Sequence, residues 1–377
     1  MQIERIDVIG LSGATPPGGW AIDLRPEDVV HTLVTVHTDE GLAGVGSVYS
    51  HDGLIRAAVD VLAPLAIGEQ PLEPARVAER LHQHTFWLGR GGTLTHAISG
   101  IDMALWDILG KATSQPVGRL LGGRYRDRVR PYASLLVDEP DALAEHLAAL
   151  VEQGFTAYKI GWGAFGRHSH RLDEQIVSRA RDVVGPDALL MVDAGASDGF
   201  WPHGYKWALR TATMLSDYGV EWFEEPLAPD SLEDYADLRR HSPVKIAGGE
   251  VLTRRQSFLP WLQARAFDVV QPDVTKVGGI SEQLRIAHAA EDHGIAFVGH
   301  GWNTAIGLAA DLQVASALPH TELIEYRTGS PYVDDLTIDA FELDADGMLS
   351  VPDRPGLGVT LEPDALARYT RRAPVTA

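Results

Sequence analysis

Apolar and polar positions alternate with a period of two near the start of the chain. Residues 2–9 and His31-Thr32-Leu33-Val34-Thr35-Val36-His37 read as strands, and the turn Thr38-Asp39-Glu40-Gly41 leads toward a third at Gly44-Val45-Gly46-Ser47-Val48-Tyr49. The period then lengthens to that of a helix over about 54–67, 74–85 and 94–113. The last of these places Ile98, Ile101, Ala104, Leu105, Ile108 and Leu109 on its apolar face. A glycine-rich stretch from Gly118 to Arg124 marks a domain boundary.

From residue 129 the pattern becomes short continuous apolar runs separated by amphipathic segments. The runs predict strands at 130–136, 157–162, 188–193, 220–225, 244–249, 267–272, 295–299 and 321–326. The segments between them predict helices at about 140–153, 172–184, 205–218, 231–240, 254–263, 279–293 and 304–317. Runs this short, rich in β-branched and aromatic residues, are those of strands buried on both faces of a parallel sheet. Eight strands alternating with seven helices over about 200 residues favour a closed barrel over an open sheet. Beyond about 328 the rhythm is lost and Pro, Asp and Gly accumulate, so this segment is expected to fold back onto the N-terminal part.

Three consecutive runs each end in a carboxylate: Leu189-Leu190-Met191-Val192-Asp193, Val220-Glu221-Trp222-Phe223-Glu224 and Val244-Lys245-Ile246-Ala247-Gly248-Gly249-Glu250. Neighbouring strands would bring Asp193, Glu224 and Glu250 to one point, an all-oxygen anionic site suited to a hard cation such as Mg2+. The functional end of such a barrel is the C-terminal end of its strands. Read in order, those ends carry Lys159, Asp193, Glu224, Glu250, Gln271-Pro272-Asp273, Gly299-His300 and Ile324-Glu325-Tyr326. An inert barrel has no need of this series.

Composition narrows the picture by exclusion. A net charge of −20 with no Lys/Arg cluster argues against nucleic acid as a partner, which requires a basic face. The absence of cysteine removes disulfides and thiolate metal sites. The N-terminal residues alternate like a strand and carry charges, unlike a secretory signal, and no stretch approaches a membrane span. A soluble cytoplasmic protein is expected.

The chain resembles the enolase superfamily, and within it the mandelate-racemase-like group of acid-sugar dehydratases, racemases and cycloisomerases. The resemblance rests on Gly100-Ile101-Asp102-Met103-Ala104-Leu105-Trp106-Asp107, Trp222-Phe223-Glu224-Glu225-Pro226 and Ala247-Gly248-Gly249-Glu250. It continues in Gln271-Pro272-Asp273-Val274-Thr275-Lys276-Val277-Gly278-Gly279 and Pro352-Asp353-Arg354-Pro355-Gly356-Leu357-Gly358. It implies an α/β fold in three parts: an α+β capping domain (1–125), a modified TIM barrel, (β/α)7β (126–328), and a C-terminal segment returning to the cap (329–377). The implied chemistry is abstraction of a proton next to a carboxylate, with the resulting enediolate stabilised by one bound Mg2+ per site. Asp193, Glu224 and Glu250 then resemble the metal ligands. His300 resembles the base, Asp273 the group that orients it, and Glu325 the acid that hydrogen-bonds the substrate carboxylate. Lys159 resembles the first lysine of a Lys-x-Lys pair facing that carboxylate. Glu225 and Lys276 are read as structural partners of these residues. A homo-oligomer is expected by family analogy.

The chain departs from this pattern in three places. Gly161 stands where the second lysine, a base on the opposite face from His300, is expected. Gly195 replaces a frequent substrate-contacting Asn. Asp193 and Glu224 are 31 residues apart, leaving room for an extra loop at 197–205 in which His203 is a candidate replacement for the missing groups. Tyr49, His51, Trp162, Arg167 and Trp302 complete the candidate substrate contacts, although sequence leaves pocket wall and plain core both open for the aromatic ones. Loops at Trp20 and at 163–171 are expected to help set substrate length. The expected activity is Mg2+-dependent dehydration of a sugar acid, with lactone cycloisomerisation as the alternative and racemisation or silent binding behind it.

Overall fold

The computed structural model describes residues 1–16, 24–136, 139–197 and 201–371. Trp20 and the stretch 198–200 of the inserted loop lie outside them. The alternating N-terminal segments form β1 (Ile3–Leu11), β2 (His31–Thr38) and β3 (Ala43–Val48), an antiparallel sheet in the order β1-β2-β3. Helices α1 (Asp52–Ala66), α2 (Pro74–His84) and α3 (Thr93–Thr113) follow, and α4 (Val117–Leu120) is a single turn. Val34, Val36, Ile55, Leu62, Leu81, Ile98, Ile101 and Leu105 share one apolar core in this part. Two glycines of β3 let α3 approach closely: a Cβ on Gly44 or Gly46 would lie 2.0 Å from the carbonyl of Ala104 or Gly100.

The barrel comprises β4 (Arg128–Leu136), α5 (Pro140–Glu152), β5 (Ala157–Gly161), α6 (His170–Val184), β6 (Leu189–Asp193), α7 (Tyr205–Asp217), β7 (Trp222–Glu224), α8 (Leu232–His241) and β8 (Lys245–Gly248). It continues through α9 (Arg254–Ala264), β9 (Val269–Val270), α10 (Gly279–Asp292), β10 (Ala296–Phe297), α11 (Ala305–Ser316) and β11 (Leu323–Arg327). These strands are parallel in the order β10-β9-β8-β7-β6-β5-β4-β11, the (β/α)7β arrangement expected. β9 and β10 are shorter than their apolar runs. Pro272 has no N–H to extend the ladder, and pairing resumes only as an isolated bridge between Asp273 and His300. No ladder joins β10 to β11 among the described residues. Instead the Gly301 N–H donates to Glu325 Oε2 at 2.7 Å across the seam.

One residue from nearly every strand fills the barrel interior: Tyr132, Ala157, Met191, Trp222, Ala247, Val269 and, just after β10, Val298. Because side chains on a strand alternate, the inward position two residues on is Ser134, Lys159, Asp193, Glu224, Gly249, Gln271 and His300. The packed layer is therefore the floor beneath the functional residues.

The C-terminal segment contains α12 (Pro331–Asp334), β12 (Leu349–Ser350) and α13 (Pro363–Tyr369). It pairs β12 with β4 and returns to the cap through bridges from Thr370 to Leu11 and from Gly356 to Pro116. The motif on α3 is the latch between these parts. Asp102 accepts hydrogen bonds from the N–H and hydroxyl of Ser281 on α10, and Trp106 Nε1 donates to the same hydroxyl. Asp107 accepts from the N–H groups of Val45 and Leu357 and from Lys111. Among the described residues no helix is long and apolar enough to cross a membrane.

Candidate active site

The acidic residues at the ends of β6, β7 and β8 converge. Asp193, Glu224 and Glu250 are all buried, and one carboxylate oxygen from each lies within 4.8 Å of the others. Glu250 follows Gly249, whose φ of +114° breaks the strand alternation and carries the next side chain to the site. Each carboxylate has donors of its own. Asp193 accepts from the Gly195 N–H at 2.8 Å and from the Trp162 indole at 3.1 Å. Glu224 Oε2 accepts from Trp222 Nε1 at 3.0 Å and Gln271 Nε2 at 2.7 Å.

Three carboxylates so close repel one another. Burial and then Glu224 push the Asp193 carboxyl well above the ordinary carboxylate range, and burial and then Glu250 raise neighbouring Glu225 to about 8. Lys159 is the cation nearest the triad: its ammonium lies 2.5 Å from Glu224 Oε1, 2.9 Å from Glu325 Oε1 and 3.4 Å from Asp193 Oδ2. Burial acts to lower its pKa, but Glu224 and Glu325 hold it well above the usual lysine value. An all-oxygen donor set, buried, anionic and already oriented by outer hydrogen bonds, fits a hard divalent cation.

His300 stands at the other end of the triad. Its Nδ1 is 2.7 Å from Asp273 Oδ2, while Nε2 lies 3.0 Å from Glu250 Oε2 and 4.0 Å from Glu325 Oε2. Asp273 is itself fixed by the N–H and hydroxyl of Thr275. Burial opposes an imidazolium here, but Glu250, then Glu325, and the hydrogen bond to Asp273 hold the ring's pKa well above the ordinary histidine value. Glu325 feels burial upward but is lowered by Lys159 and His300, so in this arrangement it acts as an acceptor.

These groups open into a cleft of about 250 Å³ lined by Tyr49, His96, Ser134, Lys159, Trp162, Asp193, Glu250, Lys276, His300 and Trp302, among others. Tyr49 stacks on His31 at 5.0 Å and carries the Lys276 ammonium 4.7 Å from its ring centroid; Arg327 lies over Trp302 at 3.9 Å. Of the candidate substrate contacts, Tyr49, Trp162 and Trp302 reach the cleft. His51, Arg167 and His203 do not line it. His51 caps α1, accepting from the Gly53 N–H, and stays exposed. Arg167 stacks over Trp201 at 4.3 Å. The ring of His203 stacks on Trp207 at 4.4 Å with Nε2 2.7 Å from the Gly166 carbonyl, so it anchors the inserted loop.

Sequence reasoning missed His96 and Ser134 as cleft residues, while Lys276, read as a structural partner, lines the cleft 3.8 Å from Glu250 and 3.7 Å from Asp273. Ser134 stands at the functional end of β4, the one strand end left out of the series above. His96 comes from the cap, and no strand-end rule reaches it; burial and then Lys276 hold it at about 4, so it presents a neutral ring.

Comparison with known proteins agrees with this geometry. Residues 16–122 match the mandelate racemase / muconate lactonizing enzyme N-terminal domain, and residues 142–365 the enolase C-terminal domain-like family. The chain is 34% identical to a D-galactarolactone cycloisomerase of Agrobacterium fabrum, over 92% of this chain and 93% of that one. It is 32% identical to a D-xylonate dehydratase of Haloferax volcanii, over 98% and 93%. The structure of the 3,6-anhydro-D-galactonate cycloisomerase from Zobellia galactanivorans superimposes with a TM-score of 0.88 at 29% identity, covering 99% of this chain and all of that one. With both halves of the chain matched and the acidic triad in place, the protein belongs to the mandelate-racemase-like group of the enolase superfamily.

Proposed function

We propose that this protein is a Mg2+-dependent lyase that dehydrates a polyhydroxylated sugar acid, an aldonate or aldarate, by removing the proton next to its carboxylate and expelling a β-hydroxyl as water. The observation that carries this reading is the His300–Asp273 pair facing the acidic triad across one cleft. A protein that only bound sugar acids would need the cation site but not an oriented base. Relatives named as sugar-acid dehydratases support the same reaction.

In this reading Asp193, Glu224 and Glu250 hold the cation, which supplies positive charge to the substrate carboxylate as the proton leaves. Lys159 supplies a second positive charge beside that carboxylate. For this role His300 must first release the proton that Glu250 and Glu325 favour; neutral Nε2 then accepts the α-proton, while Asp273 keeps Nδ1 protonated and supports the imidazolium. In this reading the same imidazolium then gives its proton to the departing hydroxyl. Glu325 is assigned the acid that hydrogen-bonds the carboxylate, a role for which it must take up a proton. We assign residues 1–125 to the cap, 126–328 to the barrel and 329–377 to the returning segment. A cytoplasmic location is the default reading, and a homo-oligomer is proposed by family analogy.

The test is incubation of the Mg2+-loaded protein with a library of aldonates and aldarates, assayed for 2-keto-3-deoxy acids. Keto acid from at least one open-chain acid is expected, and none from any would overturn dehydration. Sugar-acid lactones belong in the same screen, because two of the similar proteins are named cycloisomerases. There a ring oxygen leaves instead of water after the same proton abstraction.

A further inference from the structure

Trp162, the residue after β5, combines a bulky aromatic side chain with a φ of +57°. A conformation this unfavourable persists where surrounding contacts over-determine it, and such contacts cluster at functional sites. The Trp162 carbonyl accepts from the Phe165 N–H at 3.1 Å, while its own N–H and its indole run to Asp193 and its surroundings. The backbone N–H of Trp162 donates to the Asp193 carbonyl at 3.0 Å, and the indole N–H donates to Asp193 Oδ2 at 3.1 Å. The indole lies against Gly195: a Cβ at that position would come within 2.5 Å of two ring carbons. A Cβ on Gly161 would lie 2.1 Å from the Asp193 carbonyl oxygen.

The two glycines that depart from the family pattern thus flank the same contact, Gly161 closed by the Asp193 backbone and Gly195 by the indole. The turn that seats the indole beside Asp193 leaves room for a side chain neither at 161 nor at 195. Strand order gives the arrangement a direction. β5 flanks the triad on the Asp193 side, while the Asp273–His300 pair flanks it on the Glu250 side. Trp162, 9% exposed and lining the cleft, thus stands at the opposite end of the triad from the base. Lys159, the basic group of β5 near this wall, is committed to three carboxylates.

Resting on the proposed function, we infer that Trp162 is a positioning and specificity-determining residue. Its indole N–H fixes the Asp193 carboxylate for cation binding. Its ring closes the face of the cleft opposite His300, so that proton transfer to and from the substrate occurs on one face only.

Two substitutions separate the roles. Trp162→Phe keeps the wall and deletes the donor, whereas Trp162→Ala removes both. Binding of Mn2+ to the metal-stripped protein without substrate, followed by the electron paramagnetic resonance of free Mn2+, should weaken about tenfold or more in Trp162→Phe, as for the loss of an outer partner of a metal ligand. Unchanged Mn2+ affinity would overturn the positioning role. Product formed by wild type and Trp162→Phe in deuterated water should carry its new C3 deuterium on one face. Trp162→Ala, open to water, should give label on both, and single-faced label in that variant would overturn the wall. Gly195→Ala, whose methyl displaces the indole with Trp162 still present, must reproduce the loss of Mn2+ affinity. This variant keeps the inference testable if Trp162→Ala does not fold. A wild type that bound no Mn2+ or formed no keto acid would instead remove the proposed function itself.

Discussion

Replacing Lys159 with methionine should move stability and cation affinity in opposite directions. The lysine side chain is 4% exposed and its ammonium touches Glu224, Glu325 and Asp193. Methionine fills similar volume without the charge, leaving Asp193 and Glu224 with no cation in contact among the described residues and Glu325 with His300 alone, 4.0 Å away. Deleting one partner of a buried ion pair costs roughly 3–5 kcal/mol. The same deletion removes a positive charge that competes with a metal for the same oxygens. Two unit charges about 4 Å apart near a protein surface interact by about 4 kcal/mol, and a tenfold change in affinity needs only about 1.4 kcal/mol. The metal-free variant should therefore lose roughly 3–5 kcal/mol of unfolding free energy in urea. Adding Mg2+ should restore much of it, since a ligand that binds only the folded state stabilises that state. Titration should show Mg2+ binding at least about tenfold tighter than in wild type, while the proposed function, in which the ammonium meets the substrate carboxylate, requires turnover to be lost. A metal-free variant as stable as wild type, or a deficit that Mg2+ leaves untouched, would refute the reasoning.

His300→Asn should lower turnover by several orders of magnitude while sparing substrate affinity, because Asn fills the space without accepting a proton; single-turnover and equilibrium-binding measurements check the two halves. Gly161→Ala should destabilise the protein by about 1–3 kcal/mol or more in urea unfolding, since its Cβ meets a backbone carbonyl held in the β5–β6 ladder. Burial, only partly offset by the hydrogen bonds from Ser281, raises the Asp102 carboxyl from 3.8 to about 7. The folded chain then keeps a proton that the unfolded chain has released, so this group's contribution to stability is greatest below pH 3.8 and is lost as pH rises through 7, by on the order of 4 kcal/mol. Asp102→Asn should flatten that slope, gaining on wild type in urea titrations between pH 5 and pH 8.

The strand ends were legible because the barrel obeys a rule of two. Met191, Trp222 and Val298 lie in the packed interior, and the residue two further along each run, Asp193, Glu224 and His300, must emerge above it on the same side. An apolar run ending in a titratable group carries that geometry in one dimension. Glu250 is the exception, and its signal was the Gly248-Gly249 pair that breaks the alternation. The cap offers no such rule. His96 lies on a helix whose neighbouring apolar residues pack inside the cap, and only the docking of α3 against the barrel turns its ring toward the cleft. Proximity in sequence does not decide what lines the cleft: His51, Arg167 and His203 lie near Tyr49 or the strand ends along the chain, yet each makes a local contact and none is among the cleft's lining residues. The two glycines show where pattern reading stops. Gly161 and Gly195 register along the chain only as missing side chains, an invitation to look for a substitute group elsewhere. In three dimensions they are spaces, one closed by the Asp193 carbonyl and the other by the Trp162 indole. No periodicity reports that an aromatic residue between them takes a φ of +57°. The substitute for the expected second lysine is thus not a distant base but the neighbouring ring, which turns a two-sided site into a one-sided one.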